Sequence, residues 1–254
     1  PEGLPAIIAI TLAVAIKQMY KVNVLIRRLP AAETLGRATV ICTDKTGTLT
    51  EEELTVEKIY GDKKRIFKIG ILCNDARDEK DRILGDPTEV ALIKVAKKFG
   101  FDKAKETEKN VKVKEYPFSS ERKMMSIIRA SGKIKTSYVK GAPEVVLGNC
   151  TKEIVKGKIK LLTAKRRAEL KKVYFKMEGD GLRVLGFGFR QLTKIDQKEA
   201  EGRLTFAGFA GMIDPPRKEV KDAIKQALDA GIEIKVITGD AALTTKAIAG
   251  KVGL

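Results

Sequence analysis

The chain has 254 residues, enough for two ordinary domains with hydrophobic cores. Apolar residues at 43% and charged residues at 33% describe a globular protein with a very polar surface and exclude a disordered one. With 50 Lys and Arg against 33 Asp and Glu the net charge is +17, and the lack of any histidine excludes His-based acid/base catalysis and His-ligated metal sites, while Mg²⁺ on carboxylate and phosphate oxygens stays allowed.

Pro1-Glu2-Gly3-Leu4-Pro5 precedes an apolar run from Ala6 to Ile16, broken by Thr11. The run is shorter than the ~20 residues a bilayer needs. It reads either as a buried core helix or as part of a helix broken inside a membrane, where freed carbonyls and Glu2 ligate a cation. In the second case Lys17, Lys21, Arg27 and Arg28 lie at the cytoplasmic face. Residues 22–34 form a short stalk. Ala38-Thr39-Val40-Ile41-Cys42 is a β-branched apolar run that predicts a buried strand, and Asp44 opens the loop behind it. In Asp44-Lys45-Thr46-Gly47-Thr48-Leu49-Thr50 a carboxylate is followed by a cation, hydroxyls and flexible backbone. That is an acceptor for a phosphoryl group, or a polar turn in which Asp and Gly serve geometry alone.

A new domain starts near Glu51. Leu54–Tyr60 alternates as a half-exposed strand and stops at Gly61-Asp62. Asp86 caps a helix with Pro87 in its first turn, continuing through Glu89 to Ala96. Val111–Phe118 and Met124–Arg129 are strands, and Ser131-Gly132 turns the second into a third over Ile134–Lys140. Phe118 beside Arg122 and Lys123 offers an aromatic face with cations, a nucleotide platform, or else is a core residue at a strand end. Lys and Arg recur from Lys58 to Lys172 without an aromatic-interleaved patch, so a solvated basic surface with no nucleic acid as partner is expected, and nucleic-acid binding stays a third alternative that a steeply salt-dependent affinity for DNA would revive. Cys42, Cys73 and Cys150 are widely spaced, as buried free thiols of a reducing compartment are.

Thr163–Glu178 is an amphipathic helix stopped by Gly179-Asp180-Gly181, and Leu182–Phe187 is a strand carrying Arg183. Leu204–Ile213 is a further strand run, read as the return of the first domain and closed by Asp214-Pro215-Pro216-Arg217. A helix from about Lys218 to Ala230 and a buried strand Glu233–Thr238 follow. Thr238-Gly239-Asp240 then opens a helix from Ala241, as a phosphate cradle, a simple N-cap at Asp240, or both. Strand, helix and strand imply a parallel sheet with Asp44 and Thr238 at its carboxyl edge.

Asp44–Thr50 resembles the phosphorylation signature of the P-type ATPases, ion pumps that form an aspartyl-phosphate. Pro1–Pro5 is similar to the unwound ion-binding segment of the Ca²⁺-type pumps. Gly85–Leu92, Phe118–Met125 and Lys140–Glu144 resemble their nucleotide motifs, and Asp214–Arg217 and Thr238-Gly239-Asp240 follow in family order. The resemblance implies an α/β, Rossmann-like phosphorylation domain of haloacid dehalogenase type, incomplete, over residues 35–50 and 204–254. An inserted α+β antiparallel-sheet nucleotide-binding domain would span 51–203, with a partial transmembrane helix and stalk over 1–34.

It further implies that Asp44 attacks the γ-phosphorus of Mg·ATP, with Lys45, Thr46, Thr48, Thr238, Gly239 and Asp240 around the phosphoryl. Glu89, Phe118, Arg122, Lys123, Lys140, Gly141 and Arg183 would bind ATP, with Asp214 and Arg217 assigned to the same cofactor near hinge strands that include Glu51. Asp44 and the Thr46 carbonyl would share Mg²⁺, and Glu2 would ligate a transported cation, Ca²⁺ first. The family's second acidic motif, its actuator domain and most of its membrane helices do not occur in these residues. The expectation is therefore a piece of a membrane pump, its domains on the cytoplasmic side, that binds ATP and does not itself transport. A non-catalytic ATP-binding module is one alternative. A soluble phosphatase of the aspartyl-phosphate superfamily is another, although Thr46 stands where such an enzyme has its second aspartate.

Overall fold

The computed structural model describes residues 3–79, 82–239 and 242–254. Helix α1 (Leu4–Lys21) buries none of its residues, which removes the core-helix reading of the apolar run. At 18 residues it runs past Ile16 and is long and apolar enough to cross a membrane by length and composition. Glu2 lies outside the described residues. After α2 (Leu29–Gly36) comes strand β1 (Val40–Asp44), two residues later than expected and mostly exposed. Lys45–Leu49 then coils tightly without being a regular helix, because Thr46 (φ −77, ψ 127) and Gly47 (φ 73, ψ −11) leave helical dihedrals.

The chain next enters a large mixed unit. Strand β2 (Thr55–Gly61) leads to α3 (Lys63–Leu72), capped by Asp62, whose side chain accepts from the Arg65 N–H at 2.9 Å. A small ribbon, β3 (Arg77–Glu79) and β4 (Arg82–Leu84), precedes α4 (Pro87–Lys98). Asp86 caps α4 as predicted, accepting from the Thr88 N–H at 2.9 Å. Then follow α5 (Lys103–Lys109), the meander β5 (Val111–Ser119), β6 (Met124–Ser131) and β7 (Ile134–Gly141), and α6 (Pro143–Gly148). The hairpin β8 (Cys150–Val155) and β9 (Lys158–Leu161) leads to α7 (Ala164–Gly179), β10 (Arg183–Leu192), α8 (Gln197–Glu201) and β11 (Leu204–Ile213).

These strands form one eight-stranded sheet in the order β5-β6-β7-β10-β11-β8-β9, with β2 also paired to β11. Every residue of β11 is buried, because β10 lies along one side and β8 and β2 divide the other. Its apolar run alone places Leu204–Ile213 at the return to the first domain. It instead sits inside the sheet of the second, and the crossing back falls after Ile213. Helices cover both faces: Ile66, Leu72 and Leu92 pack on Ile127, Phe187 and Met212, while Val146, Leu170 and Tyr174 pack on Val139, Val184 and Phe209 on the other side.

Past Ile213 the chain makes α9 (Val220–Asp229), β12 (Glu233–Ile237) and α10 (Ala242–Val252). Strands β1 and β12 are parallel, as predicted, with Asp44 opposite Ile237. Both were expected to be buried, yet Val40, Ile41 and Ile237 are exposed. Each has a single strand neighbour among the described residues, and the core beside them is limited to Leu49, Val220, Ile224 and Val252 with the inner sides of Ile234 and Val236. Helix α10 also reaches the large unit. Ile248 is buried in the cluster holding Leu170, Tyr174 and Met177, and Lys251 pairs with Glu57 of β2 at 2.9 Å.

Candidate functional site

Two places carry the predicted chemistry. The first is the loop after β1. Asp44 is exposed, and its Oδ1 accepts from the Lys45 N–H at 2.7 Å, which turns the carboxylate toward the loop and leaves Oδ2 outside that bond. Lys45 and Leu49 are buried while Thr46 and Thr48 face outward, so the loop is anchored by alternate residues. Gly47 takes the left-handed φ that a side-chain residue resists, and a Cβ there would meet Glu52 Oε2 at 3.0 Å. Thr238 is half-buried and Gly239 exposed beyond the end of β12, the strand beside β1; Asp240 lies outside the described residues.

Asp214 and Arg217 lie at this place and do not line the cavity that gathers the other residues assigned to ATP. The Thr50 hydroxyl donates to Asp214 Oδ2 at 2.5 Å, and the Glu53 N–H to Asp214 Oδ1 at 3.2 Å. Arg217 donates its guanidinium to the Gly47 carbonyl at 2.9 Å and its N–H to the Leu49 carbonyl at 2.9 Å. With the Glu51 N–H on the Pro215 carbonyl at 3.0 Å, two antiparallel connectors, 50–53 and 213–217, join the units. Pro215 and Pro216 stiffen one connector, and Asp214 ties it to the other.

The second place is a cavity of about 620 Å³ at the ends of β6, β7 and β10. Glu89, Phe118, Lys123, Lys140, Gly141 and Arg183, distant in sequence, all line it. Register explains the convergence: Met125 lies opposite Lys140 across β6 and β7, and Gly141 lies opposite Gly186 across β7 and β10. Phe118 is 62% exposed, which removes the core-residue reading and leaves its ring face for a flat ligand. Lys123 (φ 51) closes the turn after β5, its N–H on the Ser119 carbonyl at 2.7 Å, and its exposed ammonium lies 4.0 Å from the Glu144 carboxylate at the cavity wall.

Gly141 is needed for the protein's own packing. A Cβ there would fall 2.5 Å from the Lys123 carbonyl oxygen and 2.7 Å from Met124 Cα, so only glycine lets β7 lie this close to the β6 backbone. Arg122 departs from expectation. It ion-pairs with Glu201, bonds the Pro117 carbonyl, and lines a different surface depression. The turn that aims Lys123 into the cavity rotates its neighbour away.

The floor of the cavity is charged and buried. Lys140 (7% exposed) and Glu89 (8% exposed) form an ion pair, and Glu89 Oε2 accepts from the Asp75 and Ala76 N–H groups at 3.1 and 3.0 Å. Buried charges persist only when paired and hydrogen-bonded in this way. Beneath them Cys73 is fully buried, and burial pushes its thiol up to about 12, so it acts as an inert apolar group. Burial, followed by the hydrogen bond and charge of Glu115, holds Asp75 above the usual carboxylate range, and at the far wall burial and then Glu144 do the same for Glu178. Asn74, Asp75 and Lys103 form no recurring motif, and an Asn-Asp pair after an apolar stretch is their only signal in the sequence.

The cavity thus joins an aromatic face to lysines and an arginine, and two connectors lead from its sheet to a loop with an exposed aspartate. Residues 62–219 match the family model described as P-type ATPase, cytoplasmic domain N, and the chain belongs to the P-type ATPases. It is 40% identical over its whole length to calcium-transporting ATPase 1 of Bacillus cereus, covering 30% of that protein. Against calcium-transporting ATPase 1 of Lactococcus lactis the identity is 37% with 31% covered. Against human calcium-transporting ATPase type 2C member 1 it is 36% with 30% covered. The chain thus spans about a third of the length of these relatives.

Proposed function

We propose that this chain is the ATP-binding and phosphoryl-accepting section of an ATP-driven cation pump in a membrane. The observation that carries the reading is the convergence of Glu89, Phe118, Lys123, Lys140 and Arg183 on one cavity. Phe118 stacks the base, and Lys123 and Arg183 meet the phosphates, while the Glu89–Lys140 pair holds one cation at the cavity floor. The cavity and the Asp44 loop share no lining residue, so the two connectors bend to carry the terminal phosphate to Asp44. There a carboxylate oxygen of Asp44 bonds the γ-phosphorus, the bond to the bridging oxygen breaks, and ADP leaves with the electron pair. Lys45, Thr46, Thr48, Thr238, Gly239 and Asp240 surround the transferred group in a Rossmann-like fold of haloacid dehalogenase type.

Among the described residues no cluster of three or more Asp, Glu, Cys or His forms a metal site, so Mg²⁺ fits here only with oxygens of the nucleotide beside Asp44 and the Thr46 carbonyl. When bound, Mg²⁺ supplies charge neutralisation on the phosphates. Calcium is the transported ion proposed, from the names of the relatives, with Glu2 among its ligands and α1 as a membrane segment whose large unit lies on the cytoplasmic side. Incubation with γ-labelled ATP and Mg²⁺ tests the reading: label retained on the chain and lost in Asp44→Asn supports it. ATP binding without label leaves a non-catalytic nucleotide module, a second reading that the exposed β1 and β12 favour. Labelled phosphate released with fast turnover would point to the phosphatase.

A further inference from the structure

One ammonium supports the cavity without lining it. Lys103, at the start of α5, reaches under the turn Asn74–Ala76 and donates to the Asn74 carbonyl at 2.9 Å, to Asn74 Oδ1 at 3.2 Å and to the Ala76 carbonyl at 2.5 Å. A lysine has three donors, so the full capacity of the group is engaged with this turn. The turn's other polar groups face Glu89: the Asp75 and Ala76 N–H groups bond its carboxylate, and Asn74 Nδ2 bonds its main-chain carbonyl at 3.0 Å. Glu89 Oε1 then takes the Lys140 ammonium.

We propose that Lys103 is a positioning residue of the nucleotide site: by fixing the Asn74–Ala76 turn it aims two N–H groups at Glu89, and through Glu89 it sets Lys140 at the cavity floor. The inference rests on the cavity being the ATP site. Filling space alone would not require a cation here. Carbonyl oxygens and an amide oxygen surround Lys103, and among the described residues it makes no ion pair.

The charged groups facing it are Glu89 from α4 and Asp75 from the turn, which favour the ammonium, and Arg129 from β6 and Lys140 from β7, which oppose it. Burial outweighs them and lowers the group to about 8. Above that pH Lys103 keeps two donors for three acceptors, the turn loosens, and Lys140 loses its fixed position. The fold itself responds with the opposite sign. The penalty for burying the charged form is fully present below about 8 and is relieved as pH rises from there toward the ordinary lysine value of 10.5.

The test measures ATP affinity of the full chain by calorimetry between about pH 7 and pH 9, for the native sequence, Lys103→Arg and Lys103→Met, and follows the Asp75 and Ala76 amide resonances over the same range without nucleotide. The native chain should lose roughly fivefold in affinity, as the loss of one hydrogen bond would give. Lys103→Arg should bind with a flat profile. Lys103→Met should bind weakly throughout; if it fails to fold, the Arg profile and the amide titration decide. Native affinity and pH profile in Lys103→Met, or Asp75 and Ala76 amides that do not titrate near pH 8, would overturn the proposal. A native chain that binds no ATP removes the nucleotide reading, and the nucleotide-free amide titration then still decides whether Lys103 sets the turn.

Discussion

The cavity and the Asp44 loop solve the problem of holding charge in opposite ways. At the cavity, Glu89 and Lys140 are buried, paired and bonded to fixed backbone, and the surrounding sheet is closed on both faces by helices. At the loop, Asp44 is exposed on a two-stranded sheet, and its shape comes from local backbone and from the two connectors. One place is stiff before any ligand arrives. The other is held by a few hydrogen bonds on an exposed two-stranded sheet. On the proposed reading binding and chemistry are separable, and substitutions should separate them.

The sharpest break of that contrast is Glu89→Ala. Removing one partner of a buried ion pair leaves Lys140 charged and alone, which typically costs about 3–5 kcal/mol, so denaturant unfolding should show a large loss of stability together with loss of ATP binding. An equal melting curve would mean that the cavity floor is not preorganised. Phe118→Ala sharpens the comparison from the ligand side. An exposed aromatic contributes little to folding, so stability should move by less than about 0.5 kcal/mol while nucleotide affinity drops by about 1–3 kcal/mol.

At the other place, Arg217→Ala removes a charge-assisted bond to the Gly47 carbonyl and should weaken the loop by roughly 1.5–3 kcal/mol at most. Its expected signature is slower labelling of Asp44 from ATP with unaltered ATP affinity, read by a filter assay beside calorimetry. Asp44→Asn should likewise leave stability within about 0.5 kcal/mol because the side chain is exposed, while all label is lost. A drop in ATP affinity in either of these two variants would show that the places are already coupled at rest.

Much of the site is legible in the residues alone. The loop at Asp44, the cap at Asp86, the meander around Ser119–Lys123 and the parallel pairing of Asp44 with the strand before Thr238 all follow from local chemistry, and the structure has them in place. Local chemistry does not say which sheet a strand joins. Leu204–Ile213 is an equally good apolar run in either unit, and only its pairing with β2 and β10 decides. Nor does it give side-chain direction in a turn. Arg122 and Lys123 are adjacent and both basic, but the left-handed backbone at Lys123 sends them to different sides. Helix α3 and Lys103 leave no local signature for a different reason: their partners are backbone carbonyls and core residues that carry no spacing in sequence.

The two connectors also set what kind of movement is available. A single tether would let the large unit swivel freely about the loop, whereas two antiparallel tethers pinned to each other by Thr50, Glu53 and Asp214 permit flexing across their plane and resist twisting within it. The joint behaves as a strap with one easy axis. Ile248, seated against Tyr174 and Met177, and Lys251 on Glu57 add a further contact between the last helix and the large unit. In the proposed reading, the joint's geometry limits the paths by which a nucleotide in the cavity reaches Asp44.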